Sequence, residues 1–125
     1  MNTDMKVLIV DDYSTMLRII KNLLNQIGFT DIDQASDGKQ ALEKFKQANY
    51  GLVISDWNME PMNGFEFLQA VRAGNHNNNV PFIMATAESK TENVIKAKEA
   101  GVSNYIIKPF NAETLKGKIS SALAE

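Results

Sequence analysis

The sequence predicts a doubly wound α/β domain, in which a five-stranded parallel sheet is covered by helices on both faces. Two observations lead to this prediction. Strand-like and helix-like segments alternate five times along the 125 residues. In addition, the first, third and fourth strand-like segments are continuous apolar runs, which is typical of strands buried on both faces of a parallel sheet.

The first strand and the first helix follow from their apolar patterns. The strand is the run Val7-Leu8-Ile9-Val10, and Asp11-Asp12 come directly after it. Apolar residues then recur with the period of an amphipathic helix, at Met16, Leu17, Ile20, Leu23, Leu24 and Ile27. Gly28 indicates the end of this helix, because glycine adopts the left-handed conformation that helix C-termini favour.

The second strand, at about residues 32–36, has the weakest pattern. The helix that follows opens near Asp37-Gly38 and shows Ala41, Leu42 and Phe45. Gly51 separates this helix from the third strand, Leu52-Val53-Ile54-Ser55, which ends at Asp56. A third helix is predicted from about Gly64, and one of its faces carries Phe65, Leu68 and Val71.

The remaining segments complete the alternation. Residues 75–79 form a polar loop in which we expect His76 to be exposed to solvent. The fourth strand, Phe82-Ile83-Met84-Ala85, ends at Thr86, and a helix follows over residues 91–100. The fifth strand, Tyr105-Ile106-Ile107, ends at Lys108, and the last helix carries Leu115, Ile119, Ala122 and Leu123.

The composition excludes several classes of protein. Hydrophobic content of 44% and charged content of 22% are typical of a soluble domain with a real core. A net charge of −2 gives no electrostatic reason to bind nucleic acid or an anionic membrane. The absence of cysteine excludes disulfides, and a single histidine excludes a multi-histidine metal site. Without a signal peptide or a membrane-spanning run, we expect a cytoplasmic protein.

Polar residues follow four of the predicted strands. They are Asp11-Asp12, Asp56, Thr86 and Lys108. Because parallel strands point the same way, we expect these side chains to meet at one edge of the sheet. Carboxylates a few ångströms apart repel each other strongly, and a hard divalent cation such as Mg²⁺ would relieve this repulsion. The sequence therefore predicts a site for metal and phosphate chemistry.

The same strand ends carry motifs that resemble those of response-regulator receiver domains. The motifs are Val10-Asp11-Asp12, Ser55-Asp56-Trp57-Asn58-Met59, Thr86-Ala87-Glu88 and Tyr105-Ile106-Ile107-Lys108-Pro109-Phe110. More narrowly, the segments 12–16, 56–59 and 108–110 are similar to those of single-domain chemotaxis regulators. The resemblance spans nearly the whole chain. It implies a flavodoxin-like sheet of order 2-1-3-4-5 and one receiver domain over residues 1–125, without an output domain.

The resemblance implies how a metal would be held. Asp12 and Asp56 would bind Mg²⁺ directly, together with the backbone carbonyl group of Asn58. Asp11 would act through a water molecule on the metal. Asn58 and Glu88 would border the path of the water that later hydrolyses the phosphorylated protein.

The resemblance also implies the chemistry and its readout. Asp56 would accept a phosphoryl group from the histidine of a partner kinase, Lys108 would pair with the phosphoryl oxygens, and Thr86 would donate a hydrogen bond to them. Tyr105 would then rotate inward and remodel a face of the fourth helix, fifth strand and fifth helix. The residues of that face are Lys90, Val94, Lys98, Tyr105, Ile107 and Lys118.

The expected partners are a histidine kinase, the flagellar motor switch protein and a dedicated phosphatase. We expect a monomer that catalyses only its own phosphorylation and dephosphorylation. A receiver that acts on a non-flagellar partner, or that serves as a phosphate sink, is the alternative. An aspartyl-phosphate hydrolase is disfavoured because it needs an aspartate at the position of Asn58. A nucleotide-binding domain is disfavoured because no glycine-rich loop follows the first strand.

Four features depart from the usual receiver pattern, namely the segment after Asp56, Leu17 where arginine is common, Lys98 where a small residue is common, and Gly117. In Met59-Glu60-Pro61-Met62-Asn63-Gly64 the proline lies one position later than usual, and Asn63 stands where an aspartate is usual. Gly117 lies inside the last predicted helix, where glycine costs about 1 kcal/mol relative to alanine.

Overall fold

A computed structural model describes residues 1–87 and 90–124. Within these residues, strands and helices alternate five times. The elements are β1 (Val7–Val10), α1 (Ser14–Ile27), β2 (Ile32–Ala35), α2 (Gly38–Gln47), β3 (Leu52–Ser55), α3 (Gly64–Ala73), β4 (Phe82–Thr86), α4 (Thr91–Glu99), β5 (Asn104–Ile107) and α5 (Ala112–Leu123). In the described chain, none of the helices combines the length and the apolar character needed to cross a membrane.

The strands form one parallel sheet in the order β2-β1-β3-β4-β5. The predicted fold class and strand order are therefore confirmed. The chain reverses direction across the sheet between β1 and β3, which are neighbours in register from Val7↔Leu52 to Val10↔Ser55. In open α/β sheets this switch point opens a crevice at the carboxyl ends of the strands.

The core forms two layers, one on each face of the sheet, because successive strand side chains point to opposite sides. In β1, Leu8 and Val10 pack with α2, α3 and α4, whereas Val7 and Ile9 pack with α1 and α5. Every residue of β1, β3 and β4 is buried. These three strands are the continuous apolar runs, which explains why their sequences show no polar alternation.

Helix caps determine where α2, α3 and α5 begin. Asp37 Oδ1 accepts a hydrogen bond from Gln40 N at 2.8 Å, and Asn111 caps α5 in the same way. Asn63 forms a capping box with Glu66, in which each side chain accepts a hydrogen bond from the other residue's backbone N–H. The unusual Asn63 therefore has a structural role, since such a cap contributes about 1 kcal/mol.

The loop at residues 75–79 corrects one prediction. His76 is half-buried, and the expectation that it is exposed is wrong. Its Nε2 atom lies 2.9 Å from the carbonyl oxygen of Ala48, and its ring packs edge-on against Phe45. Asn77 donates a second hydrogen bond from this loop, to the carbonyl oxygen of Tyr50 at 2.8 Å. The loop is thereby attached to the segment between α2 and β3, which its polar composition does not reveal.

Candidate functional site

The structure brings three predicted carboxylates together at the carboxyl end of the sheet. Asp11 and Asp12 follow β1, and Asp56 follows the neighbouring strand β3. One carboxylate oxygen of each residue lies within 4.8 Å of the others. Asp11 and Asp56 are buried, whereas Asp12 is exposed. The cluster therefore has a protected base and an open side.

Lys108 is the cation of this cluster. Its ammonium nitrogen lies 2.6 Å from Asp11 Oδ2 and 3.4 Å from Asp56 Oδ1. The backbone N–H of Lys108 donates to the carbonyl oxygen of Thr86 at 2.9 Å, which sets the end of β5 beside the end of β4. With all groups ionised, three carboxylates and one ammonium leave a net charge of −2. This surplus suits a divalent cation.

Asp56 is held by the backbone on both sides. Its own N–H donates to the carbonyl oxygen of Val10 at 2.9 Å, which continues the pairing of β1 with β3. The N–H of Trp57 donates to Asp56 Oδ1 at 2.8 Å and sets the orientation of the carboxylate. Burial raises the pKa of Asp56 above its ordinary value, the charge of Lys108 opposes this rise, and the charge of Asp11 adds to it. The protein therefore stabilises the ionised form of Asp56 less than water does.

Tyr13 and Gly64, to which the motifs assign no role at the site, support this geometry. The backbone N–H of Tyr13 donates to Asp11 Oδ1 at 3.0 Å, so Asp11 has partners on both oxygens. Gly64 begins α3 against the segment that carries Asp56, and a Cβ atom there would lie 1.9 Å from the carbonyl oxygen of Asp56. The Asn63-Gly64-x-Glu66 capping pattern is the sequence signal that marks this helix start.

A polar cavity of about 590 Å³ opens beside the carboxylates. Its lining residues are Asp12, Asn58, Met59, Glu60 and Asn63. The exposed Asn58 lines this cavity together with Asp12, and their assignment as metal ligands stays a prediction. Glu60 brings a further carboxylate to the same opening. Glu88, which was also predicted to border the site, lies outside the described residues.

The donor set is compatible with a metal site. It consists of the carboxylates of Asp11, Asp12 and Asp56, of which the first and the last are buried. On the exposed side, Asp12 and Asn58 line the cavity. Oxygen donors of this kind suit hard cations, and Mg²⁺ in particular retains several waters and takes only one or two carboxylates. The open side at Asp12 leaves room for such waters.

The predicted switch residues lie on the last two strands. Thr86 is fully buried at the end of β4, and Tyr105 is half-buried on β5. A cavity of about 390 Å³ lies between α4, β5 and α5. Five of the six residues predicted for the partner face line it, namely Val94, Lys98, Tyr105, Ile107 and Lys118. Lys90 lies apart from this cavity, as the exposed N-cap residue of α4.

Residues 7–120 match the response regulator receiver domain. The chain therefore belongs to the response regulator receiver family, and the resemblance drawn from its motifs is confirmed.

Two chemotaxis proteins and one solved structure are similar to this chain over nearly its whole length. The chain is 50% identical over 115 residues to the chemotaxis protein CheY of Pseudomonas aeruginosa, a match that covers 92% of this chain and 93% of the relative. It is 48% identical over 119 residues to the chemotaxis protein CheY-3 of Vibrio cholerae, and this match covers 95% of this chain and 92% of the relative. The crystallized CheY4 of Vibrio cholerae has a TM-score of 0.89 at 36% identity, covering 96% of this chain and 99% of that structure.

Proposed function

We propose that this protein is a phosphorylation-activated response regulator of chemotaxis. Asp56 accepts a phosphoryl group from the histidine of a partner kinase in the presence of Mg²⁺. The observation that supports this most strongly is the position of Lys108, whose ammonium lies 3.4 Å from Asp56 Oδ1 within a cluster of three carboxylates. A buried carboxylate that is set in place by backbone bonds, beside a cation and an acidic cluster, suits an acceptor of phosphoryl groups.

Each residue of the site has a part in the transfer. A carboxylate oxygen of Asp56 attacks phosphorus while the bond from phosphorus to the kinase histidine breaks, so an acyl phosphate forms and the imidazole leaves. Lys108 turns its ammonium towards the phosphoryl oxygens, and Thr86 donates a hydrogen bond to them. These groups stabilise charge in place, which is the main way in which proteins catalyse phosphoryl transfer.

The acidic residues would hold the metal. Asp12, Asp56 and the backbone carbonyl group of Asn58 would bind Mg²⁺, and Asp11 would act through a water. Bound Mg²⁺ supplies positive charge that offsets the repulsion between the carboxylates and the incoming phosphoryl group. Water later attacks the acyl phosphate and releases inorganic phosphate. The protein thus catalyses only its own phosphorylation and dephosphorylation, in the cytoplasm and as a monomer.

The face formed by α4, β5 and α5 is the surface to which the downstream partner binds. When Thr86 moves towards the phosphoryl group, Tyr105 rotates inward and the cavity between α4 and β5 changes shape. This is a shift between two arrangements of one packed surface, so the active arrangement exists as a minor population before phosphorylation. We propose that a peptide segment of the flagellar motor switch protein binds this face. The names of the two chemotaxis relatives support a role in chemotaxis.

Labelling by a small phosphodonor tests the chemistry. Incubation with acetyl phosphate and Mg²⁺ should add one phosphoryl group to the wild type, measured by intact mass. Asp56→Asn should not be labelled, whereas Asp4→Asn, at an exposed position outside the site, should be labelled like the wild type. A chelator should abolish labelling. Equal labelling of wild type and Asp56→Asn would refute the assignment.

A binding experiment tests the output. The affinity of the N-terminal peptide of the host's motor switch protein is measured with and without beryllofluoride plus Mg²⁺, which mimic the phosphoryl group. We expect tighter binding in the activated state. Equal affinity in both states would exclude this partner and favour a receiver that acts elsewhere or stores phosphate.

A further inference from the structure

A stack of three side chains joins the segment after Asp56 to α4. The rings of Trp57 and Phe65 are nearly parallel, with centroids 5.2 Å apart and planes inclined by 10°. On α4, the ammonium of Lys96 lies 5.0 Å from the centroid of the Phe65 ring. At the other end, the backbone N–H of Trp57 donates to Asp56 Oδ1. The stack therefore connects the phosphoacceptor to α4 on the α3 side of the sheet.

Among the described residues, α4 has fewer buried positions than any of the other four helices. Of the residues described in this helix, Ala97 is the buried one. At its beginning, Lys90 makes no side-chain capping hydrogen bond within the described chain. Past its end, Arg72 Nε donates to the carbonyl oxygen of Gly101 at 2.9 Å. The contact of Lys96 with Phe65 is therefore one of the described contacts that position α4.

The ring of Phe65 is the partner that the structure shows for Lys96. The ion pairs found among the described residues involve Lys6 and Lys108, and Lys96 takes part in none of them. A cation is attracted to an aromatic face within about 6 Å of the ring centroid. The observed distance is 5.0 Å, so a separation larger by about 2 Å would place the cation beyond this range.

We propose that Lys96 and Phe65 form a latch that holds α4 in its unphosphorylated arrangement. The inference rests on the proposed phosphorylation of Asp56, and it adds a second link beside Thr86 and Tyr105. In this proposal, activation displaces α4 from Phe65 and so breaks the contact between Lys96 and the ring. A contact that stabilises one of two arrangements opposes the shift to the other by the same amount. Lys96 and Phe65 are positioning residues, because they act on the site through Trp57 and α4.

The test is a beryllofluoride titration in saturating Mg²⁺, followed by the emission of Trp57, the sole tryptophan. Lys96→Met keeps the aliphatic stem and removes the charge. We expect it to lower the beryllofluoride concentration at half-response by about two- to fivefold, which corresponds to the loss of one exposed cation–π contact. Lys96→Arg retains a cation over the ring and should keep the wild-type midpoint. Lys39→Met, a matched charge removal at an exposed position of α2, should also keep it.

A double-mutant cycle ties the effect to the ring. Phe65→Leu should lower the midpoint as Lys96→Met does, and Lys96→Met added to Phe65→Leu should cause no further change. Thermal unfolding verifies that each variant is folded. An unchanged midpoint in Lys96→Met, an equal shift in Lys39→Met, or additive effects in the cycle would each overturn the latch.

The two proposals fail in different ways. If wild type is labelled on Asp56 and responds to beryllofluoride, but Lys96→Met does not shift the midpoint, only the latch is wrong. If wild type is neither labelled nor responsive, the proposed function fails and the latch falls with it.

Discussion

Lys108 contacts Asp11 more closely than it contacts Asp56, with distances of 2.6 Å and 3.4 Å from its ammonium nitrogen. Asp11 is almost completely buried, so its charge needs this partner in the protein without metal. Lys108 therefore has two tasks. It neutralises Asp11 at rest, and in the proposed mechanism it turns to the phosphoryl group on Asp56, a change that a metal beside Asp11 would ease.

The first prediction concerns this ion pair. In the presence of a chelator, Lys108→Met should lower the free energy of unfolding by about 3 kcal/mol, because the buried Asp11 carboxylate is left without a counterion. The double variant Lys108→Met, Asp11→Asn should regain at least half of this loss, since the unpaired charge is gone. Urea unfolding of the wild type, the two single variants and the double variant measures the loss of stability and its recovery. A double variant no more stable than Lys108→Met would show that Asp11 does not depend on Lys108.

The second prediction concerns the pH dependence of stability in metal-free protein. Because burial raises the pKa of Asp56, the folded state binds this proton more tightly than the unfolded state. Stability due to Asp56 is therefore highest below the unfolded pKa and falls as pH rises towards the folded pKa. Asp56→Asn removes this fall and should be more stable than wild type at neutral pH, as its amide oxygen can still accept from Trp57 N–H.

Urea unfolding with chelator, from about pH 4 to about pH 8, tests the second prediction. Asp4→Asn, at an exposed position, is the control. The difference between wild type and Asp56→Asn should widen with rising pH, and Mg²⁺ should reduce it by binding the wild type. Parallel stability curves for these two proteins would contradict the expectation.

The third prediction concerns the readout. Tyr105 lines the cavity between α4, β5 and α5, and it also lines a second cavity, of about 550 Å³, between β5 and the beginning of α5. Tyr105→Ala should leave phosphorylation of Asp56 intact and reduce, several-fold, the ratio of peptide affinities in the activated and resting states, since coupling of this kind is commonly worth about 1–3 kcal/mol. Peptide anisotropy and intact mass measure the two properties. An unchanged affinity ratio would remove Tyr105 from the coupling.

The fourth prediction compares two glycines. Apart from its own helix, no heavy atom of the described chain lies within 4 Å of a Cβ atom built on Gly117. Gly117→Ala should therefore raise the free energy of unfolding by about 1 kcal/mol through helix propensity. Gly64→Ala should lower it, because the added atom would lie 1.9 Å from the carbonyl oxygen of Asp56. Urea unfolding measures both, and a destabilised Gly117→Ala variant would contradict the prediction.

Local pattern was sufficient to predict the sheet and the residues that meet at the carboxyl ends of its strands. The apolar runs of β1, β3 and β4 identify buried parallel strands, and parallel strands place their carboxyl ends at the same edge. That is why Asp11, Asp56 and Lys108 could be placed together from positions 11, 56 and 108 alone. Helix starts were also predictable where a capping residue such as Asp37 precedes an apolar period.

The tertiary structure decided which of these neighbours bind each other. The sequence pattern predicts that Lys108 lies at this edge, but it does not predict whether the ammonium lies nearer to Asp11 or to Asp56. The two distances differ by less than an ångström, and packing determines that difference. The same holds for His76, whose loop packs on Phe45, and for Lys96, whose partner is a ring on another helix. A periodic pattern records which face of an element is buried. It does not record how two faces rotate and shift against each other, and those displacements determine the contacts.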